Sequence, residues 1–412
     1  MITVPILVRR CLRFRPAALL LVVTAALLAA PAAKAASPTV GVLYAMTNQT
    51  VNQIVVFARG ADGSLRQVQG VNTGGAGSPS GNPPFPQNHL DADHEIKLTG
   101  SLLFAVNAGD NTVSSFRVSP GPHPAAGLLT FADREPSGGV HPVSLDTYNG
   151  LLYVVNELDP KGHDISGLHY TAEGIMTPIS GSTRSLATPY ASDNGFGFAE
   201  PLPSQVIFYP EGQELAVTER TSIAFQGQLD TFAIAANGTP GAVQVNASNA
   251  PIPFGMAWDN NGHLITANAG PPPPPFAMSS ASSYSWSGTM LTPIDNESSN
   301  ASASCWVSIT NDGKYAFMSN QLSNDVSRFA IGKSGQLTLL SGNAPTSGHA
   351  ADTALSTNSR YLYVLDVLNA NGSGGALIDS YSVGSGGSLV HLATTDPGTS
   401  IIPDSASGLA SN

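Results

Sequence analysis

Cysteine is nearly absent from this chain: among 412 residues there are two, Cys11 and Cys305. Cys11 lies in an N-terminal segment that reads as cleaved, so one thiol remains and no internal disulfide can form. Stability has to come from packed elements instead. Cys305, beside Trp306, reads as a buried core thiol and not as a nucleophile. Charge is also scarce. Asp, Glu, Lys and Arg make up 11% of the residues, with 17 basic against 28 acidic and a formal net charge of −11. No run of Lys or Arg interrupts that balance, which excludes a surface for nucleic acid or anionic lipid. The motifs G-x-S-x-G, H-E-x-x-H, Walker A and C-x-x-C are missing too. Their absence removes a serine-hydrolase elbow, a zincin, a nucleotide cradle and a thiol redox pair. No convincing amphipathic helix is found.

The basic residues are concentrated at the N-terminus. Arg9, Arg10, Arg13 and Arg15 precede an apolar stretch at 17–30, and Ala33-Lys34-Ala35 offers a small-residue cleavage site. Residues 1–35 therefore read as a secretory signal, because that stretch is short of the roughly 20 residues a membrane span needs. Its removal leaves 12 basic residues against 28 acids, a net charge of −16. No later apolar run is long enough to cross a bilayer. The expected product is a secreted or periplasmic domain of residues 36–412, without nucleic-acid or membrane partners.

A recurring phrase fills that domain. It consists of a turn, a short apolar strand, then Asn or an acid. It reads GSLLFAVN at 100–107, GLLYVVN at 150–156, GQELAVTE at 212–219, GHLITAN at 262–268, GKYAFMSN at 313–320 and NSRYLYVLD at 358–366; GVLYAMTN at 41–48 opens the series. A spacing near fifty residues that holds several short strands is the mark of a propeller blade. Before each phrase comes a strand with Pro or polar residues at its start, as at 203–208 and 253–258. After it come an alternating strand and a Gly-turn with a last short strand. The expectation is an all-β, seven-bladed β-propeller of four-stranded antiparallel blades. The first unit lacks its leading strand, and residues 404–410 have the character to supply it, so the ring closes by pairing the N- and C-terminal strands. Two insertions, at 70–92 and 271–275, read as surface loops or as a rim over the channel. Asn-x-Ser/Thr triplets at Asn237, Asn246, Asn296, Asn300 and Asn371 are what an Asn- and Ser-rich chain makes by chance.

Several pieces also carry a family resemblance: FAVNAG at 104–109 with TVSSF at 112–116, PSGG at 136–139, LAVTER at 215–220, PFG at 253–255, Cys305-Trp306 and DTALS at 352–356. On these the chain resembles the seven-bladed β-propeller lactonase family, which includes bacterial 6-phosphogluconolactonase-like proteins and the fungal carboxymuconate-lactonising enzyme. The resemblance implies a lactonase or lactonising cyclase. It matches His94, Glu157 and Arg220 to the family's His, Glu and Arg, with His141 where a second Arg is expected. The stretch DADHE at 91–95 departs from the Ser-Gln pair of related secreted members.

In a propeller the starts of the innermost strands and the ends of the second strands meet on one face. Asp93, His94, His141, Gln205, Trp306 and Asp352 come from the former. Asn107, Asn156, Glu157, Glu219, Arg220, Asn268, Asn320 and Asp366 come from the latter. His94, His141, Glu157 and Arg220 are the catalytic candidates for acid–base work on an anion. Asn107, Asn156, Gln205, Glu219, Asn268, Trp306, Asn320 and Asp366 are the substrate-binding candidates. Each has a plainer reading: strand-end Asn as a turn residue, and Glu157, Glu219 and Arg220 as a structural ion pair. The expected partner is a small anionic substrate bound by a monomer, with no cofactor and no metal. The competing function is a non-enzymatic propeller that binds a protein or glycan through the same face.

Overall fold

The computed structural model describes residues 1, 37–78, 90, 92–121, 126–157, 162–188, 202–220, 227–270, 278–369, 376–398 and 407–412. The fold is that of the unit Ser37–Asn412. The signal segment and the polyproline run at 271–275 lie outside the described residues.

A repeated apolar strand flanked by Gly-turns folds back on its neighbours as an antiparallel meander, and seven such sheets follow one another. Blade 2 is Ile96–Thr99, Leu102–Asn107, Thr112–Val118 and Leu129–Pro136. Blade 3 is Pro142–Tyr148, Leu151–Asn156, Asp164–Tyr170 and Met176–Pro178, with Arg184–Ser185 on the other end of its third strand. Blades 4 to 7 begin at Leu202–Phe208, Pro253–Trp258, Ser304–Ile309 and Gly348–Leu355. Each of these innermost strands touches those of the blades before and after it, which makes the ring. Among the described residues helical structure is confined to a 3-10 turn, Ser385–Gly387, and to Gly398.

Blade 1 takes its innermost strand, Ser407–Ser411, from the C-terminus. It pairs with Thr39–Met46 in the register Leu43 to Ser411, Tyr44 to Ala410 and Ala45 to Leu409. The last residue reinforces the seam: Val42 N–H donates to Asn412 Oδ1 at 2.7 Å, and Arg59 Nη2 to its main-chain oxygen at 2.7 Å.

Burial explains the patterning. Second strands are covered on both faces by adjacent blades, so Leu102–Asn107 and Leu264–Asn268 are buried at every position and read as unbroken apolar runs. The outermost strand Leu129–Pro136 is mostly exposed after Leu129. Adjacent blades are riveted at the turns between third and fourth strands. Tyr44 Oη donates to Gly127 O at 2.8 Å, Ser115 Oγ to Gly174 O at 2.6 Å and Tyr363 Oη to Gly63 O at 3.1 Å. Gly127 has φ +86°, and a Cβ there would lie 2.5 Å from Val42, so both the turn and the close approach require glycine.

The channel edges of the innermost strands carry main-chain N–H groups that need acceptors. Side chains of the preceding blade supply them. Ser144 Oγ and Asp146 Oδ2 accept from Val206 and Phe208, Gln205 Oε1 from Met256, and Asp352 Oδ2 from Leu409. The 70–92 insertion is only partly a surface loop. Leu65–Asn72 extends the blade-1 sheet into it, and Leu90 and Ala92 are buried.

Candidate functional site

His141 immediately precedes the innermost strand of blade 3, and Glu157 follows the second. The register pairs Pro142 with Asn156, so the two residues stand opposite each other. Glu157 N–H donates to His141 O at 3.0 Å, and His141 Nδ1 lies 2.9 Å from Glu157 Oε2. His141 has φ +58°, and its N–H donates to Asn111 Oδ1 at 2.8 Å, which holds this left-handed backbone in place. Arg220 ends the second strand of blade 4. Its Nη2 reaches Glu157 Oε1 at 3.4 Å, and its guanidinium lies 5.1 Å from the centre of the Phe254 ring in blade 5.

His141, Glu157 and Arg220 are 7%, 7% and 8% exposed. Burying such a set costs desolvation that mutual attraction only partly offsets, so a cluster of this kind points to function more than to stability. Burial pushes Glu157 up, but the hydrogen bond from His141 and the electrostatic pull of His141, Arg220 and His163 outweigh it and hold the carboxyl below its usual range. Glu157 is therefore ionised at neutral pH. His163, fully buried in the connection before the third strand of blade 3, was not among the sequence candidates. Its sequence signal is a His at the mouth end of that strand, a place the repeat marks only by position.

Phe254 links the cluster to blade 6. Phe254 is tilted against Trp306 with ring centres 5.1 Å apart, and Trp306 Nε1 donates to Ala92 O at 2.6 Å. Residues 92–94 lead into blade 2 yet contact the far side of the ring. Asp93 N–H donates to Ser204 O in blade 4 at 3.0 Å, and His94 O accepts from Leu145 in blade 3 at 2.9 Å. A Cβ at Gly255 in blade 5 would lie 2.6 Å from Asp93 Oδ2. Residues 92–94 thus reach blades 3, 4, 5 and 6 across the ring. Burial and the facing charge of Asp352 push Asp93 well above the carboxylate range, and burial pushes Asp352 up to about 7.

The remaining sequence candidates are distributed differently. His94 has φ +63°, and burial and Lys97 push its imidazole down to about 3 against the pull of Asp146, so it is neutral at neutral pH. Among the described residues no hydrogen bond or ion pair joins it to His141, Glu157 or Arg220. Gln205 and Trp306 are used by the frame, on Met256 and Ala92. The strand-end Asn residues tie second strands to third strands. Asn107 Nδ2 donates to Ser114 Oγ at 2.8 Å, Asn156 to Ser166 at 3.1 Å, Asn268 to Ser282 at 3.0 Å and Asn320 to Ser327 at 2.7 Å. At the same position in blades 4 and 7 stand Glu219 and Asp366, whose neighbours are Asp230 and Asp379. Glu219 thus belongs to an acid pair inside its blade, while Arg220 turns to Glu157. No group of three or more His, Cys, Asp or Glu that could hold a metal ion occurs among the described residues.

No protein-family model matches the chain, and no curated protein matches it by sequence. Solved structures do. A protein of Bacteroides uniformis, proposed to be a 6-phosphogluconolactonase, is 17% identical with a TM-score of 0.65, over 90% of this chain and 99% of that one. A protein of Bacteroides fragilis with the same proposed activity is 17% identical at 0.66, over 89% and 97%. The periplasmic gluconolactonase of Pseudomonas aeruginosa is 17% identical at 0.63, over 90% and 98%. At such identity the likeness is one of fold, and it agrees with the topology: the chain is a seven-bladed β-propeller built like these lactonase-type propellers.

Proposed function

We propose that this propeller is an exported lactonase that opens, or reversibly closes, a lactone of a small anionic sugar acid or dicarboxylate at the mouth over blades 3 and 4. The observation that carries the reading is the buried, hydrogen-bonded set His141, Glu157 and Arg220, drawn from two blades to one end of the ring. The periplasmic gluconolactonase among its structural neighbours adds support, and so does the signal-like N-terminus.

The chemistry needs a base for water, a holder for that base and a grip on the anion. Glu157 is the holder. It keeps the Nδ1 side of His141 engaged, so proton transfer runs through Nε2. His141 takes a proton as water adds to the lactone carbonyl carbon. The ring C–O bond then breaks, and the departing ring oxygen receives that proton, which yields the hydroxy acid. Arg220 meets the substrate carboxylate or phosphate. Its contact with Glu157 is long at 3.4 Å, so an incoming anion can compete for the guanidinium fork.

The test is a panel of aldonolactones and muconolactones assayed with residues 36–412, with and without EDTA. Turnover of at least one anionic lactone that falls with His141→Asn is expected. No turnover above background on any of them would favour a non-catalytic binding module. Loss of turnover in EDTA alone would show a metal requirement.

A further inference from the structure

Four blades share one latch, and two more carry acids at its positions. The residue at the end of the second strand reaches the third strand two positions beyond its direct partner. In blades 2, 3, 5 and 6 an Asn amide donates there to Ser114, Ser166, Ser282 or Ser327. In three of these blades the Ser hydroxyl then donates to a main-chain carbonyl at the end of the preceding blade. Ser114 gives to Thr73, Ser166 to Ser137 and Ser327 to Ser299. The second-strand residue is a donor in all four.

Blades 4 and 7 replace both members with acids at equivalent register. Glu219 pairs with Gln228 and sits diagonal to Asp230; Asp366 pairs with Leu377 and sits diagonal to Asp379. The hydrogen bond to the preceding blade reverses to suit. Asp230 Oδ2 accepts Ala187 N–H at 2.6 Å, and Asp379 Oδ2 accepts Ser347 N–H at 2.6 Å. The third-strand acids are well supplied. Asp230 also accepts from Gln228 Nε2 at 3.1 Å, and Asp379 from Ser347 Oγ at 2.8 Å and Thr394 Oγ1 at 2.6 Å. His391 Nε2 at 3.1 Å and Tyr381 Oη at 3.4 Å also face Asp379. In contrast, Glu219 and Asp366 are both 0% exposed, and neither carboxyl has a well-formed hydrogen bond from a donor among the described residues, although Thr188 lies near the first and Thr346 and Ser347 near the second. A buried carboxylate without a donor is not tolerated, but a carboxylic acid that donates to its neighbour is.

We propose that Glu219 and Asp366 are protonated in the folded protein at neutral pH and donate to Asp230 and Asp379, each acid filling the role of an Asn amide, so that blades 4 and 7 are held by latches that alkali releases. Titration directions agree. Burial, then the hydrogen bond and charge of Asp230, push Glu219 up to about 9 against Thr188, and burial, then Asp379, push Asp366 well up against Ser347 and Thr346. Burial pushes Asp379 up as well, but Thr394, Ser347 and Asp366 outweigh it and hold it low. Burial also pushes Asp230 up. The proton nonetheless belongs to Glu219, because Asp230 already accepts two N–H groups. Arg220, next in the chain, is engaged with Glu157.

The sign follows from linkage. An unfolded Glu releases its proton near the ordinary carboxylate value, whereas folded Glu219 keeps it to about 9. Stability therefore falls as pH rises across that window. Glu219→Gln and Asp366→Asn keep a donor but cannot titrate. The melting temperatures of residues 36–412, wild type and double variant, are compared from pH 5 to 9. The variant is expected to melt higher at the alkaline end, with the gap closing toward the acid end; parallel curves would overturn the proposal. Infrared difference spectra of each single variant at neutral pH give a second reading. Each should lose one protonated-carboxyl band beside the one that Asp93 keeps in every spectrum, and a substitution that removes no such band would also overturn it.

Discussion

Arg220, Glu157 and His141 form a small circuit in which each substitution has its own signature. If Arg220 grips the substrate anion, Arg220→Ala lowers kcat/KM by about 30- to 1,000-fold, or roughly 2–4 kcal/mol of transition-state stabilisation. Arg220→Lys already lowers it, because one ammonium cannot reproduce two parallel hydrogen bonds. Full activity in Arg220→Ala together with a lowered melting temperature would retire the clamp and leave only the ion pair with Glu157. A second outcome concerns acid. Glu157 is held below its usual range by His141, Arg220 and His163 despite burial. Its contribution to stability is present above the ordinary carboxylate value and is lost as pH falls through the lowered one. The melting-temperature gap between wild type and Glu157→Gln should therefore shrink from neutral to strongly acid pH; a constant gap would show that the shift is absent. The sequence made Glu157 and Arg220 recognisable, as an acid and a lone base after two repeats of one phrase. It could not show that Glu219, one residue before Arg220, faces Asp230.

At the scale of elements, the segment before blade 2 has more influence than its length suggests. Residues 92–94 span the channel, and Trp306 anchors them through its indole N–H to Ala92 O at 2.6 Å. Trp306→Phe keeps a tilted aromatic contact with Phe254 but strands that carbonyl, and should cost about 1–3 kcal/mol. Faster hydrogen exchange at the Asp93 amide would locate the loosening in this segment. An unchanged melting temperature and exchange rate would show that the anchor is dispensable. Trp306 was a substrate-binding candidate because it begins an innermost strand. Its bond to a residue 214 positions away is invisible to any local pattern. The Asn phrase was legible as punctuation and also as a candidate ring, yet its amides are bonded within their own blades or, at Asn107, also to Asn52 and Thr73 of blade 1.

The whole molecule depends on one seam. The ring closes where Ser407–Ser411 pairs with Thr39–Met46, with Leu409 and Ala410 buried behind it. Deleting residues 407–412 removes the innermost strand of blade 1 and uncovers an apolar edge. The expected loss is roughly 3–5 kcal/mol, the scale of one large core truncation, with aggregation through the open edge. A truncated protein that stays monomeric and melts unchanged would refute closure by this strand.

What the sequence determined by itself is the architecture: seven blades, antiparallel meanders and a C-terminal strand that completes blade 1. Each of these rests on a local pattern repeated about every fifty residues, and repetition makes a weak local signal strong. Only the tertiary structure decided which polar groups meet. Asp146, Gln205 and Asp352 serve the main chain of the next blade, and the Asn amides at the second-strand ends donate within their own. Residues 92–94 cross to the far blades, and His141, Glu157 and Arg220 come together from blades 3 and 4. The physical reason is that every buried donor or acceptor must find a partner. In a closed ring that partner is set by register and by contact between distant blades, neither of which a stretch of sequence contains.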